Sequence, residues 1–145
     1  MIARVRLVFD TNVVLTGLRS PAGASAELLR RAREGMVELL LSVPLLLEYE
    51  AVCAQPEHLA ASGLSEEEVI QALDVLVAVA TPVEIKFLWR PQLRDAADEM
   101  VLETAINGMA DAIVTFNKRD FGPAPQLFGV AVRSPRDVLE RMRNQ

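Results

Sequence analysis

The feature that most restricts the fold of this 145-residue chain is its alternation of short apolar runs with longer segments of helical period. Arg4–Phe9, Val37–Leu41, Pro82–Phe87, Asp111–Thr115 and Leu127–Val132 are brief, mostly aliphatic, and read as strands. Between them, apolar residues recur at helical spacing. Val13–Leu18 gives a helical turn after Asp10-Thr11-Asn12, and Ser20–Gly23 a loop. Ser25–Glu34 is a helix stopped by Gly35, and Ser42 with Pro44 opens a helix through Cys53. Gln55–Gly63 reads as a connector. Ser65 and Glu68 form a capping box at the head of a helix to Val79. Trp89–Asp95 and Phe116–Pro125 read as loops. Ala96–Asn107 is a helix ended by Gly108, and Ser134 with Pro135 starts a last one to Arg143. Strands separated by helices pair in parallel through crossovers. The expected class is therefore α/β, a parallel sheet covered on both faces, in one domain over residues 1–145.

Composition narrows the function classes. Hydrophobic residues make up 51% of the chain and aromatic ones 5%, so the expected core is aliphatic and a disordered chain is excluded. The most apolar stretch, Leu39–Leu47, is broken by Ser42 and Pro44 and is far too short to span a membrane. Arg4, Arg6 and Asp10 interrupt any signal-peptide core. The single cysteine, Cys53, cannot form an internal disulfide, which suits a reducing cytoplasm. A net charge of −5 argues against broad duplex binding, which needs many Lys and Arg contacts. It does not argue against a metal enzyme, whose bound cations would face the phosphate.

In a parallel sheet, ligands bind beyond the C-terminal strand ends. Four acids fall where such a fold can gather them: Asp10 at the first strand end, Glu48 after Leu45–Leu47, Asp98 opening an amphipathic stretch, and Asp120 after Ala112–Thr115. Carboxylates collected in one pocket repel each other and call for a cation, and an oxygen-only set suits Mg²⁺ or Mn²⁺. Each acid also has an ordinary explanation. Asp10 alone is more commonly a helix cap than a ligand. Glu48 and Glu50 lie roughly 200° apart on a helix, so only one can face a pocket. Asp95, Asp98 and Glu99 suit the positive end of a helix dipole. Asp98 is set apart because it continues the apolar stripe of Leu102 and Ala105, and an inward acid needs a partner. Thr115 and Asn117 are placed to bond water or a carboxylate, and Lys118 and Arg119 to hold a phosphate. His58 reads as a surface histidine, Trp89 as packing, and Cys53 lacks the paired base of a nucleophile.

Taken in order, these segments resemble the PIN-domain ribonucleases, in particular the VapC-like toxins of bacterial toxin–antitoxin pairs. Val8-Phe9-Asp10-Thr11-Asn12-Val13 is similar to the family's opening strand and first acid, and Ser42–Glu48 to the segment bearing the second. Asp95–Met100 puts Asp98 at the third acid, and Ala110–Thr115 through Asp120-Phe121 is similar to the final signature. Two departures stand out: Asn117 where many members carry an aspartate, and Ala96-Ala97 where acidic or proline residues are common.

The resemblance implies an α/β/α sandwich on a five-stranded parallel sheet, and a metal-dependent endoribonuclease. Asp10, Glu48, Asp98 and Asp120 would be catalytic and hold Mg²⁺ or Mn²⁺, with two ions about 3.5–4 Å apart if both sites fill. Asn12 would steady Asp10, while Thr115 and Asn117 would orient water or a carboxylate. RNA, unpaired rather than duplex, would be the substrate. A small antitoxin would be the partner, and the helices leave room for a homodimer. Two alternatives compete. A phosphatase with a nucleophilic aspartate needs an acid two residues on, where Asn12 cannot transfer a proton. A degenerate PIN domain that binds RNA or protein without cutting is favoured by Asn117.

Overall fold

A computed structural model describes residues 4–86, 93 and 95–144. Its five strands are β1 (Arg6–Phe9), β2 (Glu38–Leu41), β3 (Thr81–Pro82), β4 (Ala112–Val114) and β5 (Ala131–Arg133). They form one all-parallel sheet in the order β3-β2-β1-β4-β5. The family of short strands is held by crossovers through helices, as parallel pairing demands. Central strands must be apolar on both faces, and Leu7, Val8, Phe9, Leu39, Leu40, Ile113 and Val114 are all buried accordingly.

The helices are α1 (Thr11–Arg19), α2 (Ala24–Arg33), α3 (Val43–Cys53), α4 (Pro56–Ser62), α5 (Glu66–Val79), α6 (Ala96–Asn107), α7 (Ala124–Leu127) and α8 (Pro135–Arg143). Helix α1 packs on α2 and α3, α2 on α5 and α8, and α6 lies against β1, β2 and β4. The caps read from the sequence are formed. Ser65 accepts from the Glu68 amide while Glu68 reaches back to the Ser65 amide, and Ser134 accepts from Asp137 N–H. Helix α6 begins and ends where its pattern predicts, with Gly108 as its C-cap.

Four expectations are corrected. The connector Gln55–Gly63 contains helix α4, begun by Pro56 and closed by Gly63 at φ +75°. This helix buries no residue, so it has no apolar stripe to announce it. The fifth strand starts later than Leu127: that residue lies in α7, 76% exposed, and β5 is only Ala131–Arg133. The loop after Thr115 holds a 3-10 turn, Lys118–Phe121. The third strand is likewise shorter than Pro82–Phe87, and Phe87 and Trp89 lie outside the described residues. Among the described residues, no helix is long and apolar enough to cross a membrane.

The strand order has a consequence for function. The chain builds outward from β1 through β2 to β3, then returns to the other side of β1 with β4 and β5. The order reverses between β1 and β4, and ligands of open α/β sheets bind outside the strand ends at such a switch point. Asp10 follows β1 and Thr115 follows β4.

Candidate active site

Asp10 is buried at this switch point and carries two roles at once. Its backbone N–H donates to Val114 O across the strand pair, at 2.9 Å. Its side chain caps α1 by accepting from Thr11 N–H at 2.8 Å, and its other oxygen accepts from the Thr115 hydroxyl at 2.7 Å. Thr115 Oγ1 also accepts from Asn117 N–H at 3.0 Å. A hydroxyl has one proton, so this pair of bonds fixes its direction: from Asn117 into Thr115, and from Thr115 into the carboxylate. Despite these donors, burial raises the Asp10 carboxyl above the ordinary carboxylate range, and the charges of Asp120 and Asp95 push the same way.

Next to it opens a cavity of about 510 Å³ lined by Asp95, Asp98, Arg119 and Asp120, with Leu93, Phe121 and Leu127 among its apolar walls. Asp98 is half-buried at the start of α6, and its pKa is pushed up to about 7. Burial is the largest cause; Asp10, Asp95, Asp120 and Glu99 add to it by like-charge repulsion. Asp10, Asp95, Asp98 and Asp120 therefore feel one another. Arg119 is the one cation among the described residues lining this cavity.

Buried hydroxyls tie together the elements that carry Asp10 and Asp98. Tyr49 is buried on α3 and its hydroxyl donates to Phe9 O, one residue before Asp10. Ser42 and Thr104 are joined hydroxyl to hydroxyl at 2.7 Å. Thr104 gives its proton to Met100 O, so Ser42 is the donor of the pair, and Ser42 in turn accepts from Leu45 N–H as the cap of α3. The start of α3 is thereby tied to the middle of α6. Cys53, buried on the same stripe as Leu45 and Tyr49, has its thiol pushed up to about 11 by burial, which suits a core residue and not a nucleophile.

The expected site residues are only partly brought together. Asp98 and Asp120 line the cavity; Asp10 does not, but it is close enough for its charge to raise the Asp98 pKa. Glu48 stands half-buried on α3 beside Tyr49, does not line the cavity, and makes no hydrogen bond or ion pair among the described residues. Asn12 does not bond to Asp10; its Oδ1, like the Thr11 hydroxyl, is buried without a partner. Asn117 contributes its backbone N–H while the residue itself is exposed. His58 is on α4, not in a loop, 3.3 Å from an Arg19 nitrogen. No group of three or more His, Cys, Asp or Glu side chains among the described residues is arranged to hold a metal ion.

Two features escaped the sequence reading. Asp95, by position a helix-dipole charge, does cap α6 through Ala97 N–H at 2.8 Å, yet it also lines the acidic cavity. Glu99 and Glu103 are each 4% exposed, deeper than Asp98, and a Glu99 oxygen accepts from Leu93 N–H. Their four-residue spacing on α6 was the available signal, hidden because an acid at that spacing is normally placed toward solvent.

The sequence model of the PIN domain family matches residues 6–119. No curated protein matches the chain. The matched span includes Asp10, Glu48, Asp98 and Thr115 and stops one residue before Asp120. With the five-stranded parallel sheet flanked by helices, this identifies the chain as a member of the PIN domain family, whose members are generally nucleases.

Proposed function

We propose that this PIN-domain protein is a metal-dependent endoribonuclease that cuts RNA at the switch-point cavity, acting as the toxin of a toxin–antitoxin pair in the cytoplasm. The observation that carries the reading is the hydrogen-bonded, buried Asp10 beside Asp98, whose pKa of about 7 marks a site that disfavours its own negative charge. Perturbed carboxyls at a cleft are the usual sign of a functional site.

The donors fit a hard divalent cation in kind. They are carboxylates, and the buried Asp10 and half-buried Asp98 are disfavoured as anions by burial and by their acidic neighbours, a state that Mg²⁺ or Mn²⁺ relieves; unpartnered Thr11 and Asn12 oxygens follow Asp10 directly in the chain. A closed three-acid cage is absent among the described residues. Mg²⁺ does not require one, since it keeps several waters and is commonly held by one or two carboxylates plus a substrate phosphate. Asp10, Asp98 and Asp120 would hold it, with Glu48 reaching it through water. The bound ion would polarise the scissile phosphate and lower the pKa of the attacking water.

The chain's own residues supply the rest. Thr115 keeps the Asp10 carboxylate in one orientation, and Asn117 N–H keeps Thr115 from turning away. Arg119 offers a guanidinium to the phosphate in the cavity. Water attacking in line with the leaving oxygen yields a 5′-phosphate and a 3′-hydroxyl. A small antitoxin would silence the enzyme by covering the acidic cavity.

A second reading, a PIN domain that binds without cutting, is favoured by one observation: position 117 supplies only a backbone donor where an aspartate would add a carboxylate. Incubation of a pool of structured and unstructured RNAs with Mg²⁺, Mn²⁺ or EDTA separates the two. We expect cutting in Mg²⁺ or Mn²⁺, none in EDTA, and loss of at least about 100-fold in Asp10→Asn. Folded, antitoxin-free protein that binds RNA and never cuts it would establish the second reading.

A further inference from the structure

Beside the acidic cavity lies another of about 470 Å³, walled by Lys118, Gln126, Gly129 and the residues leading into β5. The two have one lining residue in common, Gly122. Their charge differs sharply. The first sets three aspartates against Arg119, whereas Lys118 is the one charged residue among those described around the second. Lys118 and Arg119 are consecutive in the 3-10 turn, where neighbours point about 120° apart. The turn thus sends one cation to each side of Gly122.

Gly122 itself has φ +50° and ψ −145°, a state only glycine adopts without strain. A Cβ built there would meet nothing within 4 Å. The partition between the cavities is bare backbone with open space above it, so an extended ligand can lie across it. The second cavity offers an ammonium, the Gln126 amide and the half-buried Val132, which together match a phosphate, a hydroxyl and a ribose or base face. Its volume is that of a site for one small-molecule-sized unit such as a nucleotide.

We infer that the second cavity seats the part of an RNA strand adjoining the scissile phosphate, with Lys118 holding the flanking phosphate and the strand crossing over Gly122. The inference rests on the ribonuclease reading for which phosphate is cut, while the seat itself is a matter of binding. Continuity with the acidic cavity favours a strand over an acidic protein segment, because a chain cut in one cavity must continue out of it.

The test uses the whole 145-residue chain carrying Asp10→Asn, so that cutting is suppressed during the measurement, and a fluorescein-labelled single-stranded RNA of about 12 nucleotides. Anisotropy in Mg²⁺ gives Kd across a salt series. Adding Lys118→Gln should weaken binding about fivefold and make the log Kd against log salt slope shallower by about one phosphate's worth. Gln126→Glu, at another exposed position, should weaken it as well by placing a carboxylate in the cavity. In cutting-competent protein, both should raise KM for the RNA more than KM for bis(p-nitrophenyl) phosphate, which needs only the acidic cavity. Unchanged Kd and salt slope in Lys118→Gln overturn the inference and leave the cavity to an acidic protein segment. An equal effect on the two substrates, or no RNA binding at all, also overturns it. Lys118-dependent binding without cutting by the unsubstituted protein supports the seat and defeats the reaction instead.

Discussion

At Asp98 the folded chain keeps a carboxyl near pKa 7, against an ordinary value of 3.8. Between those values the folded state binds more proton than the unfolded one. Stability from this group is therefore greatest at the acid end, falls as pH rises, and reaches its full cost above about 7. Without divalent ions, the melting temperature should drop from about pH 5 to about pH 8. Asp98→Asn should flatten that slope and raise the melting temperature at the alkaline end by about 2–4 °C, on the order of 1 kcal/mol after solvent screening. Differential scanning fluorimetry decides it, and equal pH profiles for the two proteins would refute the assignment. Thr115→Val should cost about 1–3 kcal/mol in urea unfolding, since it strips a donor from buried Asp10 and an acceptor from Asn117 N–H. At this scale the sequence was informative about residue type and poor about contact. Asp10 caps α1 with one oxygen and takes the Thr115 hydroxyl with the other, so a capping role does not use up its carboxylate. Asn117 acts through its amide, which every residue but proline carries, and nothing in the letter N could announce that.

Elements were legible where their ends carry chemistry. Ser65 with Glu68, Ser134 with Pro135, and Gly108 each mark a boundary that the structure reproduces. Legibility failed for α4, which packs only the half-buried Leu59 against the core, and around Leu127, where exposed apolar residues mimic a strand. Gly108 shows what an element boundary can also support. A Cβ there would sit 2.9 Å from Thr104 O and from Val83 Cγ2, and 3.0 Å from Leu40 Cδ1. Its carbonyl accepts from Arg6 Nη2 at 2.6 Å. The end of α6 is thus pressed against the sheet, which sets where Asp98 begins at the other end. Gly108→Ala should cost about 1–3 kcal/mol by forced displacement. Chemical denaturation measures it, and a neutral result would mean that α6 slides freely on β1 and β2.

Across the whole molecule, the sheet was predictable because parallel strands leave a strong apolar signature, while the cavity was not, because it depends on strand order. Sequence position says nothing about β4 returning beside β1, yet that return alone joins residues 10 and 115. The same convergence concentrates negative charge in a chain already at −5. Millimolar Mg²⁺ should therefore raise the melting temperature at about pH 8, less so in Asp98→Asn, with EDTA reversing the gain. A thermal shift that is equal in both proteins would place the ion elsewhere.

The pairing of Asp10 with Thr115 spans 105 positions of chain. During synthesis Asp10 leaves the ribosome 105 residues before Thr115 and waits for β4 and the hydroxyl that orients its carboxylate. Every nascent chain shorter than that carries the first acid on an unfinished sheet. For the ribonuclease proposed above, the message being translated would stay out of reach of a finished site until β4 has emerged.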